Sequence, residues 1–90
     1  MALVWDRINL RKVLAHRVEP EEVEEAFGDR KRQIRRTRSD RQVRRYQMVA
    51  QTASGRYLRV IFEELPEGIR VTTAFDATDE DYRRHQRRGK

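Results

Sequence analysis

Two histidines, His16 and His85, are the side chains of this chain that ordinarily titrate near neutral pH, and both lie among cations. His16 stands near Lys12 and Arg17, and His85 stands in a run of arginines. A proton-transferring ring beside fixed positive charge suits acid–base work at a phosphate. The arginines placed to hold such a phosphate are Arg59 and Arg70, on runs that read as strands. Arg44 and Arg45 lie on the run before them, and Arg56 follows a glycine. Tyr57 offers a ring for stacking a base or a hydroxyl for proton transfer. Each residue also has a plainer reading. His16 falls where a helix would end, its ring on the last carbonyls. Tyr57 reads as half-buried core, Glu63 as half of a surface ion pair, Trp5 as a core anchor and His85 as a solvated tail residue. No histidine has acidic neighbours at metal-ligand spacing, and there is no phosphate-cradling glycine loop or nucleophile motif. The expectation is therefore a site without metal or cofactor.

The elements that must position these residues are few. Ninety residues make one domain with a modest core. The centre of the pattern is Tyr57 to Phe75, two runs rich in β-branched and aromatic residues around Pro66-Glu67-Gly68, which predicts a hairpin. Leu58, Val60 and Phe62 alternate with Arg59, Ile61 and Glu63. In the second run Ile69, Val71, Thr73 and Phe75 are expected to share one face. Asp6 is placed to cap a helix over residues 7–16 with Ile8, Val13, Leu10 and Leu14 as its apolar stripe. Pro20 and Gly28 bracket a second helix with Val23, Ala26 and Phe27 on its buried side. Two further strands are predicted over residues 33–38 and 42–52, joined by a turn at Ser39-Asp40. Thr78 opens a last helix, acids first and arginines late, with Tyr82 as its one convincing apolar anchor. The expected architecture is α+β: two N-terminal helices, a four-stranded antiparallel meander and a C-terminal helix.

Charge narrows the function classes. Lys and Arg number 21 against 15 acids, a net +6, and all but three of the cations are arginine. Residues 19–29 hold six acids and no base, whereas residues 30–45 hold nine cations and one acid, Asp40. Such a balance points to nucleic acid, an anionic surface or an acidic protein. Cysteine is absent, which excludes a disulfide framework and thiolate metal sites. The first residues lack the pattern of a signal peptide, and no apolar run approaches a membrane span, so a cytoplasmic protein is expected.

Three ordered stretches resemble the BrnT family of ribonuclease toxins from bacterial type II toxin–antitoxin pairs. The first is Trp5-Asp6 with Asn9, then His16 and Val18, then Pro20-Glu21-Glu22-Val23-Glu24-Glu25-Ala26. The second is Gly55-Arg56-Tyr57-Leu58-Arg59-Val60-Ile61-Phe62. The third is Arg70-Val71-Thr72-Thr73-Ala74-Phe75-Asp76-Ala77-Thr78 followed by Asp81-Tyr82-Arg83-Arg84. Arg17 stands where the family usually has glycine, and Phe75 where many members have arginine. The resemblance implies a RelE-related fold, metal-independent cleavage of mRNA, growth inhibition, and neutralisation by a DNA-binding antitoxin in a hetero-oligomer. It favours His16 for acid–base work. Arg59, Arg70 and Tyr57 join it as candidate catalytic residues, and Lys12, Arg17, Arg44, Arg45 and Arg56 as RNA contacts. A non-catalytic nucleic-acid-binding module on the same fold is the rival expectation, and a partner-binding protein with an acidic ligand is a third.

Overall fold

The computed structural model describes residues 3–37 and 43–88, with side chains to residue 85. The order is β1 (Leu3–Val4), α1 (Arg7–Ala15), α2 (Pro20–Phe27), β2 (Gln33–Thr37), β3 (Arg44–Gln51), β4 (Tyr57–Leu65), β5 (Gly68–Asp76) and α3 (Asp79–Arg88). The fold is α+β, as its pattern predicts, but the sheet has five strands and is mixed. Its order is β1-β5-β4-β3-β2, with β1 parallel to β5 and the rest antiparallel. A two-residue strand carries no periodicity, which is why β1 escapes a sequence reading. The turn expected at Ser39-Asp40 lies outside the described residues.

Both N-terminal helices start as their sequences dictate. Asp6 accepts from the N–H groups of Ile8 and Asn9 at 2.8 and 2.9 Å, while Asn9 Oδ1 accepts from the Asp6 N–H at 2.7 Å. This closed box satisfies N–H groups that a helix start leaves without partners. Asn9 also donates to the Val4 carbonyl at 2.8 Å, and its side chain is fully buried. Glu22 closes the equivalent box on Glu19 at 2.9 Å, with Pro20 in the first turn. At the exit of α1, Arg17 has φ 59°, the left-handed conformation that glycine adopts without strain.

The core lies between these helices and one face of the sheet. Val13, Val18, Val23, Ala26 and Phe27 meet Met48, Ala50, Leu58, Val60, Phe62, Val71 and Ala74, all buried. Phe62 takes Phe27 edge-on at 5.2 Å and stacks on Tyr46 at 5.4 Å. Trp5 packs half-buried against this cluster. Two expectations fail here. Ile8 and Leu14 are 63% and 48% exposed; of the expected stripe Val13 is buried and Leu10 half-buried, and Asn9 is the second fully buried residue of α1. The strict alternation expected along β5 is also broken. Ile61 opposes Thr73 but Phe62 opposes Val71, so Thr72 is an extra residue in a β-bulge. Val71 and Ala74 consequently point into the core, and Phe75 falls on the opposite face beside Arg59.

Candidate functional site

The face of the sheet turned away from α1 and α2 carries the polar strand residues in rows set by the register. One row runs Thr37, Arg45, Glu63 and Arg70. The next runs Arg35, Gln47, Ile61 and Thr73, and the third runs Gln33, Val49, Arg59 and Phe75. Alternation on β3 and β4 places Arg59 opposite to the buried Leu58 and Val60, as their spacing predicts.

Arg45, Arg59 and Arg70 are each held by a neighbour. Arg59 donates to Gln47 Oε1 through Nε at 2.7 Å and also through Nη2, and its Nη1 lies 3.7 Å from Asp81. Arg70 donates to Asp6 Oδ2 through Nε and Nη2 at 3.1 and 2.9 Å. The Asn9 N–H, acting against desolvation, and then Arg70 hold the Asp6 carboxyl below the usual carboxylate range. Arg45 pairs with Glu63 at 2.9 Å; Glu63 is buried, so this is no surface pair. Arg44 is exposed, and its contact with Glu64 is a looser 3.7 Å. Held in this way, Arg45, Arg59 and Arg70 keep between 25% and 29% of their side-chain surface accessible, enough to meet a ligand from above.

His16 enters from the end of α1. It is the exposed C-cap residue, as its plain reading has it, and its ring also lies 5.6 Å from that of Phe75. Phe75 is the cross-strand partner of Arg59, so one aromatic residue stands between the histidine and the row of Arg59. Lys12, one helical turn before His16, and Arg17, just after it, are both exposed.

The structure sets Arg56 apart from this group, whereas Tyr57 shares the outer face of β4 with Arg59, two residues away. Tyr57 is packed edge-on against Tyr82 at 4.6 Å and against His85 at 5.1 Å, beneath α3. Arg56 serves a different end. Its Nε donates to Asp76 at 2.8 Å, and Nη1 donates to Glu22 at 3.0 Å and to the Arg17 carbonyl at 2.8 Å. Asp76 and then Glu22, against desolvation, push its pKa above the ordinary value.

His85 is not the solvated tail residue its surroundings in sequence suggest. It is 2% exposed, and its Nε2 lies 3.2 Å from Asp29 Oδ2. Burial alone would raise Asp29, but the N–H groups of Gln51 and Lys31, then His85, bring it below the usual carboxylate range. An ionised carboxylate only accepts, so Nε2 carries the hydrogen. His85 Nδ1 has no hydrogen-bond partner among the described residues. The ring is enclosed and serves to seat α3 on the sheet, where Asp81 also closes a box with Thr78 at 3.1 and 3.2 Å. Sequence reasoning missed Gln47, Asp81, Asp6 and Phe75 as neighbours of the arginines. Only Asp6 and Asp81 carried a local signal, their capping positions.

Among the described residues no three His, Asp or Glu side chains are grouped to hold a metal, and no helix is long and apolar enough to cross a membrane. No protein-family model matches the chain, and no curated protein matches it either.

Proposed function

We propose that the chain is a toxin-type endoribonuclease of the BrnT kind, acting on RNA laid across the arginine rows and restrained in the cell by an antitoxin. The observation that carries this is the convergence of His16, Phe75 and Arg59, with Arg70 and Arg45 further along the same face. In this reading an RNA 2′-hydroxyl attacks the adjacent phosphorus and the bond to the 5′-oxygen breaks. His16 takes the 2′-hydroxyl proton and returns it to the leaving 5′-oxygen, Arg59 meets the charge that builds on the phosphoryl oxygens, and Phe75 positions the imidazole. The other cations of this face are not needed for the chemistry. Arg70 and Arg45 flank Glu63, four residues and so about 13 Å along β4 from Arg59, and meet neighbouring backbone phosphates. The left-handed backbone at Arg17 also fits the glycine that the family usually has there.

The test uses purified protein and end-labelled RNA, with and without EDTA. Cleavage that survives EDTA, falls by about 100-fold or more in His16→Ala, and falls in Arg59→Lys is the expected result. Far-UV circular dichroism of both variants checks that they fold. RNA that is retarded but intact would support the second reading, a binding module without chemistry. That reading draws on the carboxylates that occupy Arg45 and Arg70 and on Phe75 standing where the family has arginine.

A further inference from the structure

Helix α1 has its one favourable N-terminal charge at the cap, Asp6, and every charged residue after it is a cation. α2 and α3 open with acids, which the positive end of a helix dipole favours. α1 has no acid in its first turn and begins with Arg7. Arg7 and Arg11 stand four residues apart, a like-charge pair on one side of the helix. α3 uses the same spacing for an attractive pair, Glu80 with Arg84 at 3.1 Å. Among the described residues no carboxylate pairs with Arg7, Arg11 or Lys12, whereas Arg45, Arg59 and Arg70 on the sheet are each compensated.

The three cations of α1 surround the apolar pair Ile8 and Ala15 on the outer face of the helix. Ile8 is 63% exposed and lies one heptad from Ala15, on the same line of the helix. Leu14 extends the exposed apolar surface along one flank at 48% exposure. Ile8 and Ala15, ringed by cations with no carboxylate partner among the described residues, offer an occupant both contact and charge. The chemistry selects it: an apolar stripe for Ile8 and carboxylates on both sides for Arg7, Arg11 and Lys12. We infer that the outer face of α1 docks an acidic amphipathic helix of a partner protein, packed alongside α1 on Ile8 and Ala15 with its carboxylates on the flanking cations. The apolar pair is what favours a protein helix over nucleic acid here. The inference stands whether or not the sheet face acts on RNA.

The probe is a synthetic stapled peptide with leucines at helical spacing along one face and glutamates beside them, fluorescein-labelled and titrated with the full chain. Saturable binding is expected, about tenfold weaker for Ile8→Asp and weakened again by added salt. Binding should fail with Arg11→Glu and return when the peptide's facing glutamate is replaced by lysine. Because Ile8 and Arg11 are exposed, the circular dichroism of both variants should match that of the unaltered chain. Absence of saturable binding would overturn the inference, as would equal binding of a peptide with the same residues in scrambled order. So would a single-stranded oligonucleotide that binds in an Ile8-dependent way while the peptide does not.

Discussion

Arg56 gathers acceptors from three separate segments: Asp76 at the end of β5, Glu22 on α2 and the Arg17 carbonyl after α1. A guanidinium can do this because its donors are fixed in a fork, and a lysine cannot reproduce it. Arg56→Ala should therefore lower stability by about 2 kcal/mol, and Arg56→Lys should recover only part of it, read by urea denaturation. The Glu19 N–H and then Arg56, against desolvation, hold the Glu22 carboxyl below the usual carboxylate range. A carboxyl whose pKa is lower folded than unfolded stabilises fully at neutral pH and loses that contribution as pH falls through the folded value. The denaturation midpoint should fall between about pH 5 and pH 3, and fall less in Glu22→Gln. The partners of Arg56 lie 20, 34 and 39 residues away in the chain. A basic residue after a glycine turn reads alike as a ligand contact or a clip, and only tertiary distance separates the two.

At the level of elements, α3 is held by polar contacts rather than an apolar stripe. His85 is buried against Asp29 and Tyr57, Asp81 is buried beside Arg59, and Gln33 donates to the Arg84 carbonyl at 3.1 Å. His85→Ala should leave a cavity and deprive Asp29 of a donor. A loss of about 2–3 kcal/mol is expected, with hydrogen exchange over residues 79–85 rising first. This docking could not be read from sequence, since a histidine among arginines has the composition of a solvated helix end. What was legible followed strong local rules. The hairpin of β4 and β5 came from alternation around Pro66-Glu67-Gly68, and the starts of all three helices came from Asp6, Pro20 and Thr78. The extra residue in β5 and the two-residue β1 leave no such trace. The group of His16, Phe75 and Arg59 depends on both the end of α1 and that irregular strand. His16 and Arg59 stand out in the sequence by their chemistry, whereas the residue that stands between them has the spacing of a core residue.

Over the whole molecule, the formal +6 is unevenly available. Arg45, Arg59 and Arg70 are each matched by a carboxylate, while among the described residues the cations of α1 are not. RNA held by those three sheet arginines alone would therefore show a mild salt dependence. The slope of log affinity against log salt should be about −2 for three phosphates on a single strand, and Arg59→Gln should reduce its size by about 0.7. A much steeper slope would mean that further cations, on α1 or in the stretch of residues 30–45, also meet the RNA.

The bulge at Thr72 has a consequence for how this surface can change. Substituting Thr72 preserves the parity of everything after it. Deleting it would remove the bulge and restore simple alternation, with Val71 and Ala74 still inward and Phe75 still beside Arg59. The two halves of β5 are written in different reading frames of the pleat. Pairing the same residues without the bulge would carry Phe75 inward and Ala74 outward, so the irregularity is what lets this sequence keep the ring beside His16.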